Sequence, residues 1–330
     1  MSTRQLPSTG MDDCLSVIGE VPDRQFRTAM SLLADGDRSQ LLEAVDLIGD
    51  AAAAGHAEAT ERRAVLEAVG VVQAPDWNKA LNSLADAAEL GSSSAAQQLI
   101  LLAENRFKAT LSACTHAGTW REMRSRISIS ERLRPPEPNG LTLSRDPFVR
   151  AIDTLCSSAE CQWLIAAATP RLERAEVFGA GVDRGRTNQS AVLSLSDTDL
   201  VAQMIRTRIA NELGAPLPCL EVPQVLRYAV GEEFVLHCDF LDPKLLQDEI
   251  DRAGQRSATF LIYLNQDFDG GETSFPVLGI DHRGNTGDGL VFGNLDHFRA
   301  PDPRTQHAGK PPTRGVKWVF SQWIRDRYAA

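Results

Sequence analysis

Long apolar runs, paired cysteines and excess positive charge are all missing from this chain. No stretch approaches the roughly 20 apolar residues that span a bilayer, and the opening MSTRQLPSTGMDDC has neither the basic nor the apolar region of a signal peptide. A cytoplasmic protein with no membrane partner is expected. The six cysteines (Cys14, Cys114, Cys156, Cys161, Cys219 and Cys238) include no C-x-x-C pair, which argues against structural zinc and a disulfide framework and for small core residues. With 34 Lys and Arg against 44 Asp and Glu, a net charge of −10 gives a nucleic-acid polyanion no general reason to bind. What is present is an ordinary globular composition, 43% hydrophobic and 24% charged, over 330 residues. That length suits about two domains.

From Phe26 to Arg106 the chain is rich in Ala and Leu at helical spacing, and it repeats at an offset of 36 residues. Ala44, Val45, Ile48, Asp50, Ala51, Ala52, Gly55 and Ala59 align with Ala80, Leu81, Leu84, Asp86, Ala87, Ala88, Gly91 and Ala95. Stacked helix pairs produce such a period, with small residues at the contacts and Gly at helix ends. The units AAAAGHAEA and AAELGSSSAAQQL resemble Sel1-like repeats, relatives of the tetratricopeptide class, over about residues 38–106. Two repeats are fewer than a freestanding solenoid needs, so support from the C-terminal half is expected. Such a unit can grip a substrate, act as a lid or serve a homodimer. His56 and His116 read as surface or capping residues, because no ligand partner lies at metal-binding spacing.

Pro135, Pro136 and Pro138 followed by Asn139-Gly140 cannot continue a helix. They divide a helical repeat domain with its linker, residues 1–140, from a second domain, residues 141–330. There the S-x-x-E box at Ser157 predicts a helix over 159–174, and a second is predicted over 197–213, stopping at Gly214. The period then changes to two, predicting strands over 222–228, 233–239, 258–264, 289–292 and 316–323. The first two are expected to pair through a turn at Val230-Gly231. The fold class is α+β: a double-stranded β-helix (jelly-roll, cupin-like) braced by helices and preceded by an all-α domain.

His237 and Asp239 stand two apart on a predicted strand and so share a face. An H-x-D pair alone means little. Further on, His307 precedes a terminal strand that holds Lys317. Two histidines and a carboxylate leave about three coordination positions open, the arrangement of non-haem Fe(II) oxygenases. A lysine aimed into an apolar barrel requires a counter-anion, which a dicarboxylic co-substrate would supply.

Residues 146–327 resemble the prolyl 4-hydroxylase branch of the Fe(II)/2-oxoglutarate dioxygenases, through SSAECQWLI, EVPQVLRYAVGEEFVLHCDF, ATFLIYLN, GGETSFP, GDGLVFGN and a closing H-A-G with KW and W-I-R. The resemblance implies that His237, Asp239 and His307 bind Fe(II) and that Lys317 pairs with the distal carboxylate of 2-oxoglutarate. It also implies that Tyr263 hydrogen-bonds that carboxylate, that Tyr228 lines the iron-side pocket, and that Thr305 and Trp318 stand nearby. O2 is the second co-substrate, succinate and CO2 are products, and ascorbate is an accessory reductant. His282 and His297 read as surface and loop residues. The AGVDRGRTNQS segment has Asn188 where the family usually has Ser, and Lys310-Pro311-Pro312 replaces its usual Pro-Val after H-x-G. Both departures border the mouth and concern substrate. Arg186 is a candidate partner for a substrate carboxylate. The leading expectation is hydroxylation of a free cyclic imino acid, proline or pipecolic acid. The alternatives are a prolyl residue in a peptide docked by the repeats, and a non-catalytic adaptor with a relic barrel. Retention of His237, Asp239, His307 and Lys317 together argues against the adaptor.

Overall fold

The computed structural model describes residues 12–35, 37–104, 119–134, 140–176 and 185–328. Cys114, His116 and the turn at 135–139 lie outside the described residues. The chain divides into two compact units, with a break between Ile127 and Ser128. No helix among the described residues is long and apolar enough to cross a membrane.

The first unit is helical: α1 (Asp12–Asp35), α2 (Leu41–Ala53), α3 (Ala57–Val69), α4 (Trp77–Glu89), α5 (Ser93–Ala103) and α6 (Trp120–Ser125). Helix α4 starts 36 residues after α2, and α5 starts 36 after α3. Gly55 and Gly91, in the turns of the two pairs, take φ of +87° and +100°, which only glycine adopts freely. His56 caps α3, its Nδ1 accepting from the Ala59 N–H at 3.1 Å, as expected of a capping histidine. Ala51, Ala52 and Ala59 form a small-residue contact filled by Phe26 of α1. Helix α1 packs on α2, and α6 on α4 and α5. The repeats thus gain flanking helices within their own unit.

The second unit comprises α7 (Ile129–Leu133), β1 (Thr142–Arg145), β2 (Phe148–Ile152), α8 (Ser158–Ala168), β3 (Glu173–Arg174), β4 (Gln189–Val192), α9 (Leu200–Leu213), β5 (Gln224–Tyr228) and β6 (Phe234–His237). It continues with α10 (Pro243–Ala253), β7 (Arg256–Tyr263), β8 (Phe268–Gly270), β9 (Thr273–Phe275), β10 (Ile280–His282), β11 (Gly289–Gly293), β12 (His307–Gly309), β13 (Pro312–Gly315) and β14 (Lys317–Arg325). An eight-stranded sheet runs β1-β2-β11-β7-β14-β5-β4-β3, a four-stranded sheet β10-β9-β12-β6, and β8 pairs with β13. All described pairings are antiparallel. Val149, Leu226, Leu261, Leu290, Phe292 and Val319 of the large sheet meet Phe275 of the small one in a shared core.

Strands β5 and β6 do not form the expected hairpin. Strand β5 lies between β14 and β4 in the large sheet, whereas β6 is the edge of the small sheet beside β12. The turn at Gly231, with φ of +81°, carries the chain from one sheet to the other. Period-two patterning records which residues face a core and is silent about which strand lies alongside. Helix α8 stops at Ala168, short of 174, because the chain tightens into a 3-10 turn at Thr169–Arg171 containing Pro170.

Helix α7 also belongs to the second unit, so the break falls ahead of the expected 140/141 boundary. The fully buried Arg208 of α9 explains why. It pairs with Glu160 of α8 at 3.0 Å and donates to the carbonyls of Arg132 and Leu155. Glu160 meanwhile closes the capping box with Ser157. Removing one partner of a buried ion pair strands the other's charge. Glu160→Ala should therefore cost about 3–5 kcal/mol in denaturant unfolding, against about 1 kcal/mol for Ser157→Ala, which removes only a cap.

Candidate metal and co-substrate site

His237 ends β6, Asp239 follows in a bend, and His307 begins β12. The β12–β6 ladder places His307 directly opposite His237, with ring centroids 4.3 Å apart. Asp239 sits between them, Oδ1 3.6 Å from His237 Nε2 and Oδ2 3.6 Å from His307 Nε2. The three ligand atoms lie within 4.8 Å of one another.

The outward nitrogens are also specified. His237 Nδ1 lies 2.8 Å from the Val235 carbonyl and His307 Nδ1 3.1 Å from that of Thr305. A carbonyl only accepts, so each Nδ1 carries the proton and each Nε2 keeps its lone pair for the site. Burial, reinforced by the neighbouring His237, lowers the His307 pKa to about 4 against the pull of Asp239, so its ring is neutral at pH 7. Burial alone would raise Asp239, but His307, His237 and the Thr259 hydroxyl together hold it well below the usual carboxylate range. Two imidazole nitrogens and one carboxylate are the donor set of a divalent first-row metal.

Lys317 opens β14 opposite Tyr228 of β5 and is 2% exposed. Its ammonium lies 5.1 Å from the Tyr228 ring centroid and 5.7 Å from that of Tyr263, within cation–π range. Among the described residues no carboxylate pairs with it, and burial lowers its pKa to about 8. Two glycines make room here. A Cβ at Gly271, where φ is +69°, would sit 3.3 Å from Lys317 Cδ, and one at Gly309 would sit 3.3 Å from Tyr228 Oη. The glycines of GGETSFP and of H-A-G thus allow close backbone approach to the site.

One cavity joins His237, Asp239 and His307 to Lys317 and Tyr228, with Thr273, Ser321 and Trp323 also in its wall. The sequence reading assigned no role to those last three; Trp323 could have been found through the W-I-R segment that contains it. Other expected residues stand differently. Tyr263 lies behind the wall, its hydroxyl 2.9 Å from Thr273 Oγ1. Thr305 does not reach the cavity; its carbonyl holds His307 and its hydroxyl donates to the Asp302 carbonyl at 2.7 Å. Asn188 is fully buried and accepts from Arg186 Nε at 3.3 Å, so it steadies Arg186 and does not face the mouth. Arg186 does line the cavity. Trp318 lies outside it, with the Arg227 guanidinium 6.0 Å from its ring centroid. His282 is half-buried, not a surface residue, because its ring packs edge-on against Tyr263 at 5.7 Å. Cys238 is half-buried where full burial was expected, since the bend after β6 leaves it partly uncovered. His297 is exposed in a loop, as expected.

An antiparallel two-sheet unit enclosing a His-Asp-His cluster and a buried lysine defines an iron-dependent oxygenase class. Residues 223–325 match the 2OG-Fe(II) oxygenase superfamily. A prolyl 4-hydroxylase homologue from Acanthamoeba polyphaga mimivirus is 33% identical over 186 residues, covering 55% of this chain and 74% of the relative. Prolyl 4-hydroxylase 1 of Arabidopsis thaliana is 30% identical over 217 residues, covering 60% and 76%. A solved viral collagen prolyl hydroxylase of Paramecium bursaria Chlorella virus-1, in its 2OG complex, is 27% identical, covers 54% of this chain and 95% of that chain, and has a TM-score of 0.42. The chain belongs to the 2OG-Fe(II) oxygenase superfamily, among the relatives of the prolyl 4-hydroxylases. It is a 2-oxoglutarate-dependent hydroxylase using Fe(II), 2-oxoglutarate and O2.

A lysine held at a pKa of about 8 dictates two pH effects. Were Lys317 the partner of a 2-oxoglutarate carboxylate, the affinity measured by calorimetry would fall as pH rises through about 8, and Lys317→Met would weaken binding at pH 7 and flatten that dependence. In the ligand-free protein the sign is reversed. Between about pH 8 and 10.4 the unfolded chain binds the extra proton, so unfolding free energy should rise across that window and Lys317→Met should abolish the rise.

Proposed function

We propose that this protein hydroxylates prolyl residues within a peptide or protein, with His237, Asp239 and His307 holding Fe(II) and Lys317 pairing with the distal carboxylate of 2-oxoglutarate. The observation that favours a peptide over a free imino acid is the state of Arg186. Lys317 and Arg186 are the cations of the cavity wall among the described residues. Arg186 Nε, Nη1 and Nη2 already donate to Asn188, the Glu176 carbonyl and Gln224, and the guanidinium stacks 4.6 Å over the Phe234 ring. Free proline or pipecolic acid would bring a carboxylate, and a guanidinium fixed by three hydrogen bonds and a ring contact cannot turn to follow it, leaving one N–H on each Nη to meet it. A peptidyl proline brings an amide and needs no cation. The names of the prolyl 4-hydroxylase relatives agree with this reading.

The two sheets around one core are read as a double-stranded β-helix. Its rigid ladders hold the proposed ligands, because β6 and β12 fix His237 and His307 through the backbone while both Nδ1 atoms are tied to carbonyls. Iron with O2 supplies the oxidative decarboxylation of 2-oxoglutarate to succinate and CO2, one oxygen atom entering succinate and the other a substrate C–H bond. Lys317 orients the co-substrate, and Leu226, Leu261, Val319 and Phe234 keep bulk water from the reacting centre.

Mass spectrometry after incubation with Fe(II), ascorbate and 2-oxoglutarate tests the proposal. A Pro-containing peptide should gain one oxygen with matching succinate, while free proline and pipecolate should not. Turnover confined to the free imino acids would reverse the assignment. Absence of succinate and of Fe(II) binding under every condition would favour the adaptor.

A further inference from the structure

Asp239 receives a hydrogen bond from outside the ligand set. Thr259, within β7 of the large sheet, is fully buried, and its hydroxyl donates to Asp239 Oδ2 at 2.7 Å. Asn294, the residue after β11, is also fully buried, and its amide Nδ2 donates to the same Thr259 oxygen at 3.0 Å. Chemistry sets the direction of this chain. An ionised carboxylate only accepts, so the single hydroxyl proton of Thr259 points to Asp239, and the Thr259 oxygen is free to accept from Asn294.

The support is unequal on the two sides. Asp239 hangs in a bend beyond the end of β6, an edge strand. Thr259 sits on a paired strand inside the large sheet, with Phe292 of β11 opposite it, and Asn294 directly follows β11, its backbone N–H bonded to the Ser257 carbonyl at 2.9 Å. The relay therefore ties the least regular ligand to the most regular part of the unit, across the core. It also distinguishes the two carboxylate oxygens. Each oxygen lies 3.6 Å from one histidine Nε2, Oδ1 from His237 and Oδ2 from His307, but Oδ2 alone also receives the Thr259 hydroxyl.

We infer that Thr259 and Asn294 are positioning residues that hold Asp239 Oδ2 so that the carboxylate meets a divalent metal through Oδ1 alone. The inference rests on His237, Asp239 and His307 being the metal site. One-oxygen ligation keeps a coordination position open that a two-oxygen carboxylate would fill.

The test uses the full-length protein and Fe(II) under anaerobic conditions. Affinity is read by competition with a chromophoric chelator, and carboxylate ligation by the separation of the two carboxylate stretches in infrared difference spectra. Thermal melting of the metal-free proteins monitors folding. Thr259→Val, nearly isosteric, should lower Fe(II) affinity by about 10- to 100-fold, the range for lost outer-shell partners, and narrow the stretch separation. Thr259→Ser should restore both. Asn294→Ala should weaken binding in the parent protein and have no further effect in the Thr259→Val background, because the relay is then already broken. Unchanged affinity and stretch separation in Thr259→Val, or an Asn294→Ala effect equal in both backgrounds, would overturn the relay. Lack of Fe(II) binding by the parent protein would overturn the metal site itself, and the relay with it.

Discussion

The register between β12 and β6 is the constraint on which this site depends. It sets His307 opposite His237 across an antiparallel ladder, and a slip of one residue would turn one of the rings to the other face of the sheet. On its other side β12 pairs with β9, setting Gly309 opposite Thr273 and under Tyr228, so that second ladder shapes the cavity wall. Neither β6, with four residues, nor β12, with three, could hold such a register alone. The shared core with the eight-stranded sheet, through Phe275 and Phe292 at 5.0 Å, presses the small sheet into place.

Buried charge is used in two opposite ways. Arg208 and Glu160 are buried as a matched pair, each with further hydrogen bonds, and they join α7, α8 and α9 into one brace. Lys317 is buried against two tyrosine rings, and among the described residues no carboxylate forms an ion pair with it. The first arrangement is complete within the protein. The second leaves an ammonium whose desolvation the rings offset only in part, which is the physical basis for proposing that it pairs with an incoming anion.

Arg186 illustrates why residue type and position together still fall short of a role. Sequence places a guanidinium near the mouth, and carboxylate recognition is the natural reading. In the folded chain Asn188, Gln224 and the Glu176 carbonyl converge on it, and Phe234 lies beneath it, itself stacked on His237 at 3.5 Å. The group becomes part of the wall. Thr305 changes in the same sense, since its carbonyl and not its side chain serves the site.

Local features of the chain were legible without coordinates because their causes are local. The 36-residue recurrence, the Ser157–Glu160 capping box, the helix stop at Gly214 and the H-x-D pair each depend on neighbours a few residues away or on simple repetition. That His307 and Lys317 share one cavity with His237 and Asp239 was legible from the ordered motifs. What only the tertiary structure decided is partnership at long range: that β5 and β6 part into different sheets, that α7 joins the second unit, and that His282 packs on Tyr263. The same holds for Thr259 and Asn294 reaching Asp239 from the opposite sheet. Side-chain alternation encodes which face of a strand is buried, but hydrogen-bonded neighbours are chosen by how all the buried faces close around one core, and no short stretch of sequence carries that information.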